Sequence, residues 1–311
     1  MARWSIADAP DQRGRTVLVT GATSGLGLET ARALASRGAR VLVAGRDAAR
    51  TDAAVGEVSA AAADGGSGEP VQLDLASLAG IAAAADDVRS RVEALDVLVN
   101  NAGVMAPPFG RTADGFETQI GTNHLGHLAL TAHLLPALLA ADQPRVVTVS
   151  SAAHRMGQID PDDLHYDRRA YSPWPAYGAS KLANLLFTGE LDRRARASGS
   201  PLVAAAAHPG YAATNLQLAG PAYAQNPVGR TATRLLNAVL AQSAAAGALP
   251  QLYAATMPDV RGNDYLGPDG PGESRGGPTR VGRSAAASDP ELAARLWDRS
   301  EEQVGLVLRL A

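Results

Sequence analysis

Two residues near position 180 pose the chemical question. The stretch "AYGASKLANLLFTGEL" (176–191) places Tyr177 and Lys181 four positions apart at the start of a helical pattern. That spacing sets both side chains on one helix face, one turn apart. Two readings are open. Both side chains could be solvated by chance, or the lysine could make the phenol a usable proton donor. A free tyrosine titrates at about 10, poorly matched to neutral pH. A cation beside it favours phenolate and lowers that value. Upstream, "RVVTVSS" (145–151) ends in two hydroxyls, Ser150 and Ser151. Neighbouring strand residues face opposite sides, so only one of the two can point into a shared site.

A second stretch suits phosphate. "TGATSGLG" (20–27) lies between an apolar strand-like run and a helical run, with Gly21, Ser24, Gly25, Leu26 and Gly27 as candidate contacts. Glycine permits a tight turn and close approach of a pyrophosphate. The helix that follows offers free N–H groups and the positive end of its dipole. The spacing is G-x-x-x-G-x-G, not the commoner G-x-G-x-x-G. A tight turn without a ligand is the bland alternative, and the strand–loop–helix context favours a dinucleotide. At the end of the second strand, "VAGRD" supplies Arg46 and then Asp47. An arginine there can fork onto a ribose 2′-phosphate. Asp47 reads as the cap of the next helix, which leaves Arg46 free, so NADP(H) is expected over NAD(H). Asp74 and Leu75 are expected to border the adenine, with a helix N-cap as the alternative for Asp74.

These groups need elements to hold them. Apolar runs at 16–20, 40–45, 70–75, 95–103, 145–151 and 201–210 read as strands, and "NDYLGPDG" (263–270) is a candidate seventh. Helical patterns separate them: "LGLETARALASRG", "DAARTDAAVGEVSAAAA", a run from about Ser77 to Glu93, and one or two helices over 114–141. Asp289 and Pro290 open a capped C-terminal helix over 289–305. The stretch 257–284, rich in Gly, Pro and Arg, reads otherwise as loop. Alternation of apolar strands with helices implies a parallel sheet covered on both faces. The expected fold is a single doubly wound, Rossmann-type α/β domain over 1–311 with about seven strands. Its cofactor part is expected over roughly 14–150 and its catalytic part over 151–311.

Composition narrows the field. The 311 residues carry a formal net charge of −3, which gives no basic surplus for nucleic acid. Cysteine is absent, so disulfides and thiol chemistry are excluded. The N-terminus lacks an apolar core of the secretory type, and no apolar run of about 18 residues suggests a membrane span. A cytoplasmic protein is expected. His124, His127 and His133 lie close together but lack the carboxylates or cysteines that would complete a metal set, so packing or hydrogen bonding is the expected role.

The motifs together carry a resemblance. "TGATSGLG", "NNAG" (100–103), "TNHLGHLAL" (122–130), "VSSAAH" (149–154), "YGASK" (177–181) and "HPG" (208–210) occur in the order found in the short-chain dehydrogenase/reductase family. "YGASKLANLLFTGEL", "AHPGYAATNL" and "LYAATMPDVRGNDYLGPDG" resemble its retinol dehydrogenase and protochlorophyllide reductase-like branch. The resemblance runs from about Gly14 to Gly305. It implies Tyr177 as general acid or base, with Lys181 lowering its pKa and sharing a nicotinamide ribose. It selects Ser151 to polarise the substrate oxygen. It gives Asn123 a water that links Lys181 to solvent, the alternative being an amide bonded to the backbone. Asn101, Ala102 and Gly103 would line the cofactor. Pro209 and Gly210 would flank the nicotinamide, and Thr214 would meet its carboxamide. Ser151 and Tyr177 are 26 positions apart, about twice the family's usual gap. The branch has a similar insert, which puts a standard subunit interface in doubt.

The implied reaction is hydride transfer between nicotinamide and a carbonyl or alcohol carbon. Met105, Pro107, Phe109, Met156, Tyr171, Trp174, Leu216 and Leu218 would wall an apolar pocket, which suits a lipophilic small molecule. Two rivals stand beside this. A non-catalytic dinucleotide sensor would commonly lack the tyrosine or lysine, and a reductase of carbon–carbon double bonds in this branch is expected to use a cysteine. A homo-oligomer is the family's habit.

Overall fold

The computed structural model describes residues 4–211 and 242–310. Among them eight strands form one sheet in the order β3-β2-β1-β4-β5-β6-β7-β8. They are β1 (Thr16–Thr20), β2 (Arg40–Gly45), β3 (Ser67–Gln72), β4 (Val97–Asn100), β5 (Arg145–Val149), β6 (Val203–Ala207), β7 (Tyr265–Pro268) and β8 (Pro278–Arg280). All neighbours pair parallel except β7 with β8. The helices are α1 (Gly25–Ala35), α2 (Ala48–Ala61), α3 (Leu78–Arg91), α4 (Thr118–Ile120), α5 (Gly126–Leu139), α6 (Pro173–Ser198), α7 (Ala244–Thr256) and α8 (Pro290–Val304).

The period of two along each strand builds two cores. Val17, Val19, Val41, Val43, Val97 and Val99 pack with residues of α1, α2 and α7. Leu18, Leu42, Leu98 and Val146 pack on the other face with residues of α3, α5, α6 and α8. Strands buried on both faces explain why the sequence runs are continuously apolar rather than alternating. The chain moves outward from β1 to β2 and β3, then returns to place β4 on the other side of β1. Between the ends of β1 and β4 this reversal opens the crevice where ligands of such sheets gather.

Two expectations need correction. β3 covers Ser67–Gln72, three residues earlier than the 70–75 run, because Ser67 to Gln72 pair in register with Arg40 to Gly45. As an edge strand it accepts Gly68 and Pro70, which disguise it in the sequence. The second correction lies in 257–284, read as loop beyond the seventh strand. It holds β8, which pairs antiparallel with β7 through Leu266↔Arg280 and Pro268↔Pro278. The remaining expected elements are present. Asp289 caps α8 by accepting from Glu291 N and Leu292 N, and Gly305 ends it at φ +67°.

Candidate active site

The Tyr177–Lys181 turn lies at the start of α6, against the C-terminal end of β5. Lys181 Nζ donates to Val149 O at 3.0 Å, and Asn184 Nδ2 donates to the same oxygen at 3.0 Å. The ammonium is therefore anchored to the strand end, 5.8 Å from the centroid of the Tyr177 ring. The two serines diverge as alternation demands. Ser150 Oγ donates backward to Lys181 O at 2.8 Å and is buried. Ser151 is half-buried, its Oγ accepts from Ala153 N at 3.2 Å, and it also bonds the Tyr177 hydroxyl.

Electrostatics here depart from the expectation that Lys181 lowers the phenol pKa. Burial pushes Tyr177 up to about 12, with the Ser151 hydrogen bond opposing. Burial pushes Lys181 down to about 8. Both side chains are nearly inaccessible. In the protein alone, loss of water around each charge is the largest cause of both shifts.

Asn123 reaches this corner through an irregular segment. Between α4 and α5 the chain makes one π-helical turn, Gly121–Leu125, a feature common at functional sites. Asn123 Oδ1 accepts from Val104 N at 2.8 Å, and its Nδ2 donates to Val104 O and Ser180 Oγ, both at 2.9 Å. The amide is thus bonded to the backbone on both edges and staples the loop after β4 to α6. A Cβ on Gly103 would come 3.1 Å from Asn123 Oδ1 and 3.4 Å from Lys181 Nζ. These two polar atoms therefore border one small space that glycine leaves open.

The crevice itself is locked by Thr20, to which the sequence assigned no role, and by His127, for which packing or hydrogen bonding was expected. Thr20 Oγ1 accepts from Asn101 N and Ala102 N, both at 2.9 Å, and lies 2.9 Å from His127 Nε2. The His127 Nδ1–H donates to Asn123 O at 2.9 Å, since a carbonyl can only accept. Nε2 of the neutral ring is then the acceptor for the Thr20 hydroxyl. Burial holds His127 down at about 4, which agrees with a neutral ring. One hydroxyl and one imidazole thereby fasten β1, the loop after β4 and the π-turn together. His124, one residue before the end of that turn, bonds Ser300 of α8 at 2.8 Å. Among the described residues no group of His, Asp and Glu could hold a metal.

The glycine loop forms a cradle. Gly21 and Gly25 have φ of +63° and +56°. A Cβ on Gly21 would lie 2.9 Å from Ala102 Cα, and one on Gly27 would lie 2.4 Å from Gly21 O and 2.6 Å from Asn101 Nδ2. Ser24 is the N-cap of α1, yet its side chain makes no capping bond. The hydroxyl and the first-turn amides at Gly25, Leu26 and Gly27 are thus placed to meet a phosphate. Asp47 does cap α2, accepting from Arg50 N at 2.9 Å. Arg46 is exposed, and its guanidinium has no partner among the described residues. Asp74 and Leu75 lie beyond the corrected end of β3. Asp74 Oδ1 accepts from Ala76 N at 3.0 Å, while the N-cap of α3 is Ser77, so the cap alternative for Asp74 does not hold. Leu75 is buried in the core. Pro209 and Gly210 follow β6 at the same edge of the sheet, Gly210 at φ +65°. Thr214, Leu216 and Leu218 lie outside the described residues.

The loop after β4, the insert before α6 and the first turn of α6 each bring a large apolar side chain to this corner. Phe109, Met156 and Trp174 are about half exposed, unusual for side chains of this size. Trp174 meets the Tyr177 ring edge-on at 6.1 Å, and Phe109 meets Tyr171 edge-on at 5.3 Å. Gln119, buried and also unforeseen, orders this wall. Its Oε1 accepts from Ala106 N and its Nε2 donates to Tyr171 Oη and Pro173 O, all at 2.9 Å.

Comparison with known proteins agrees with this geometry. The family model for short chain dehydrogenase matches residues 15–220. The chain belongs to that family. It is 43% identical to polyprenol dehydrogenase of Mus musculus over 297 residues, covering 93% of this chain and 83% of that protein. It is 38% identical to retinol dehydrogenase 14 of Mus musculus over 303 residues, covering 94% and 87%. A crystal structure of an uncharacterized protein from Mycobacterium Paratuberculosis superposes with a TM-score of 0.82 at 46% identity, covering 99% and 100%. The chain is an oxidoreductase of the retinol dehydrogenase-like branch.

Proposed function

We propose that this short chain dehydrogenase transfers hydride between NADP(H) and the carbonyl or alcohol carbon of a lipophilic small molecule. The observation that carries the reading is the convergence of Ser151, Tyr177 and Lys181 beside the Gly21–Gly27 cradle. NADPH, when bound, supplies the hydride that forms the new C–H bond. Ser151 donates a hydrogen bond to the substrate oxygen and draws charge from the carbon. Tyr177 gives its proton to that oxygen as the C=O π bond breaks, and takes it back in alcohol oxidation. Lys181, anchored on Val149 O, supplies the positive charge that offsets the phenolate left behind. Asn123 is the residue through which a water would return the proton, using the second lone pair of Oδ1 over Gly103.

Arg46 supports NADP(H) over NAD(H): its guanidinium has no partner among the described residues and follows the strand end at which a 2′-phosphate would be read, while Asp47 is occupied as a cap. The apolar rim of Phe109, Met156 and Trp174 supports a lipophilic substrate, and two relatives are named for polyprenol and retinol, which are apolar alcohols. A cytoplasmic location, expected from the sequence, belongs to the same proposal and is checked by cell fractionation. The test is binding of NADPH and NADH side by side to the wild type and to Arg46→Ala, followed by turnover of apolar and charged carbonyls. The proposal expects tighter NADPH binding that collapses in the variant, and faster turnover of the apolar set. Equal binding of both nucleotides to the wild type would remove the cofactor assignment, and a preference for charged carbonyls would remove the substrate class.

A further inference from the structure

Two loops flank the proposed site: the one after β5, which carries Ser151, and the one after β6, which carries Pro209 and Gly210. A third segment touches both. It is the connection between β7 and β8, around Gly270–Ser274. Glu273 Oε1 is 3.1 Å from Arg155 Nη2, in the first loop. Glu273 Oε2 is 3.2 Å from Nε2 of the buried His208, at the root of the second. The backbone joins in, since Tyr211 N donates to Ser274 O at 2.8 Å. Gly210 runs so close that a Cβ there would lie 2.5 Å from Ser274 O and 2.9 Å from Glu273 O.

The residues around this contact are equally committed. His208 Nδ1 accepts from Gly210 N at 3.2 Å, so the neutral ring carries its hydrogen on Nε2, the atom beside Glu273. That N–H lacks the alignment of a hydrogen bond, and the contact is electrostatic. Its ring fits only over Gly267, where a Cβ would come 2.1 Å from Nε2. His154, next to Arg155, donates Nδ1–H to Ser151 O at 2.7 Å and accepts from Ser284 N at 3.2 Å through Nε2. Arg155 Nη2 also donates to Gly282 O at 2.9 Å. The chain on either side of β8 therefore grips both loops.

Holding Glu273 there has a cost. Its φ is +54°, a left-handed conformation that glycine accepts and glutamate does not favour, directly after Gly272 at φ +61°. A strained residue whose side chain bridges two site loops points to a task beyond filling a turn. We propose that Glu273 is a positioning residue: by tying Arg155 to His208 it fixes the loop of Ser151 relative to the loop of Pro209 and Gly210, and so the distance across which hydride moves. This rests on the oxidoreductase reading above.

Glu273→Gly separates that task from support of the fold, because glycine suits φ +54°. The variant is expected to melt at or above the wild-type temperature. Its amides at Gly210 and Tyr211 should exchange hydrogen faster. Its kcat should fall by roughly tenfold to a hundredfold, the scale of an ångström-level misplacement. Glu273→Gln, which keeps an acceptor for Arg155, should recover part of the rate. Wild-type exchange and wild-type kcat in Glu273→Gly would overturn the proposal, as would a lower melting temperature accompanied by unchanged exchange at Gly210 and Tyr211. If the wild type reduces no carbonyl with either nucleotide, the oxidoreductase reading fails, and the exchange rates still decide whether Glu273 ties the loops.

Discussion

Replacing Lys181 by methionine should make the protein more stable while removing its activity. The ammonium is buried at 3% exposure with its pKa brought from 10.5 to about 8. Lowering the pKa that far corresponds to a cost on the order of 3 kcal/mol for holding the charge in the folded state. Methionine keeps most of the aliphatic stem but forfeits the hydrogen bond to Val149 O, a loss of about 1 kcal/mol. That oxygen keeps its bond from Asn184. The net gain at pH 7 is on the order of 2 kcal/mol, or about 4–8 °C at 2–4 °C per kcal/mol. The sign with pH follows from linkage. Between pH 8 and 10.5 the unfolded chain holds the lysine proton and the folded one does not, so wild-type stability from this group rises with pH across that window. The advantage of Lys181→Met should therefore be full below pH 8 and vanish by about 10.5. Thermal unfolding of both proteins from pH 6 to 10.5 measures it. A variant less stable than wild type at pH 7, or a gain that ignores pH, would refute the claim that a functional charge is held here against its solvation.

Further outcomes follow from the same geometry. Thr20→Val should destabilise by about 2–4 kcal/mol, since it strands the amide of Ala102 and the ring nitrogen of His127, while the Asn101 amide keeps its bond to Val99 O; denaturant unfolding checks this. His124 and His127 are held neutral by burial, at about 3 and about 4. Folded values below the unfolded 6.5 mean that stability falls as pH drops from about 6.5 toward 4, as an acid titration of unfolding would show. Gly103→Ala should lower kcat more than it weakens nucleotide binding, because its Cβ enters the space bordered by Asn123 Oδ1 and Lys181 Nζ; steady-state kinetics with a carbonyl substrate separates the two effects.

The motif residues were legible because chemistry fixes their types and strand ends fix their places. Gly21, Gly25 and Gly27 stand where the backbone needs positive φ or close approach, and the Ser150–Ser151 pair resolves by simple alternation. The π-turn that carries Asn123 was not legible, since one extra residue in a helix leaves the apolar pattern intact. Thr20 and His127 were missed as partners because 107 positions separate them; only knowing that β1 neighbours β4 brings them together. β3 and β8 were misplaced or missed because edge strands carry the Gly and Pro that otherwise signal loops. The directions of the Tyr177 and Lys181 pKa shifts were not legible for a physical reason. Spacing reveals proximity, but it does not reveal burial, and burial sets both values here.

Tyr177→Phe tests most directly the proposal that Tyr177 is the proton donor for NADPH-dependent carbonyl reduction. The ring and its edge contact with Trp174 remain, so folding and nucleotide binding should be kept. The variant should bind NADPH like the wild type, with carbonyl turnover reduced by at least about a hundredfold, the share of general acid catalysis. Turnover within a few-fold of wild type would contradict it.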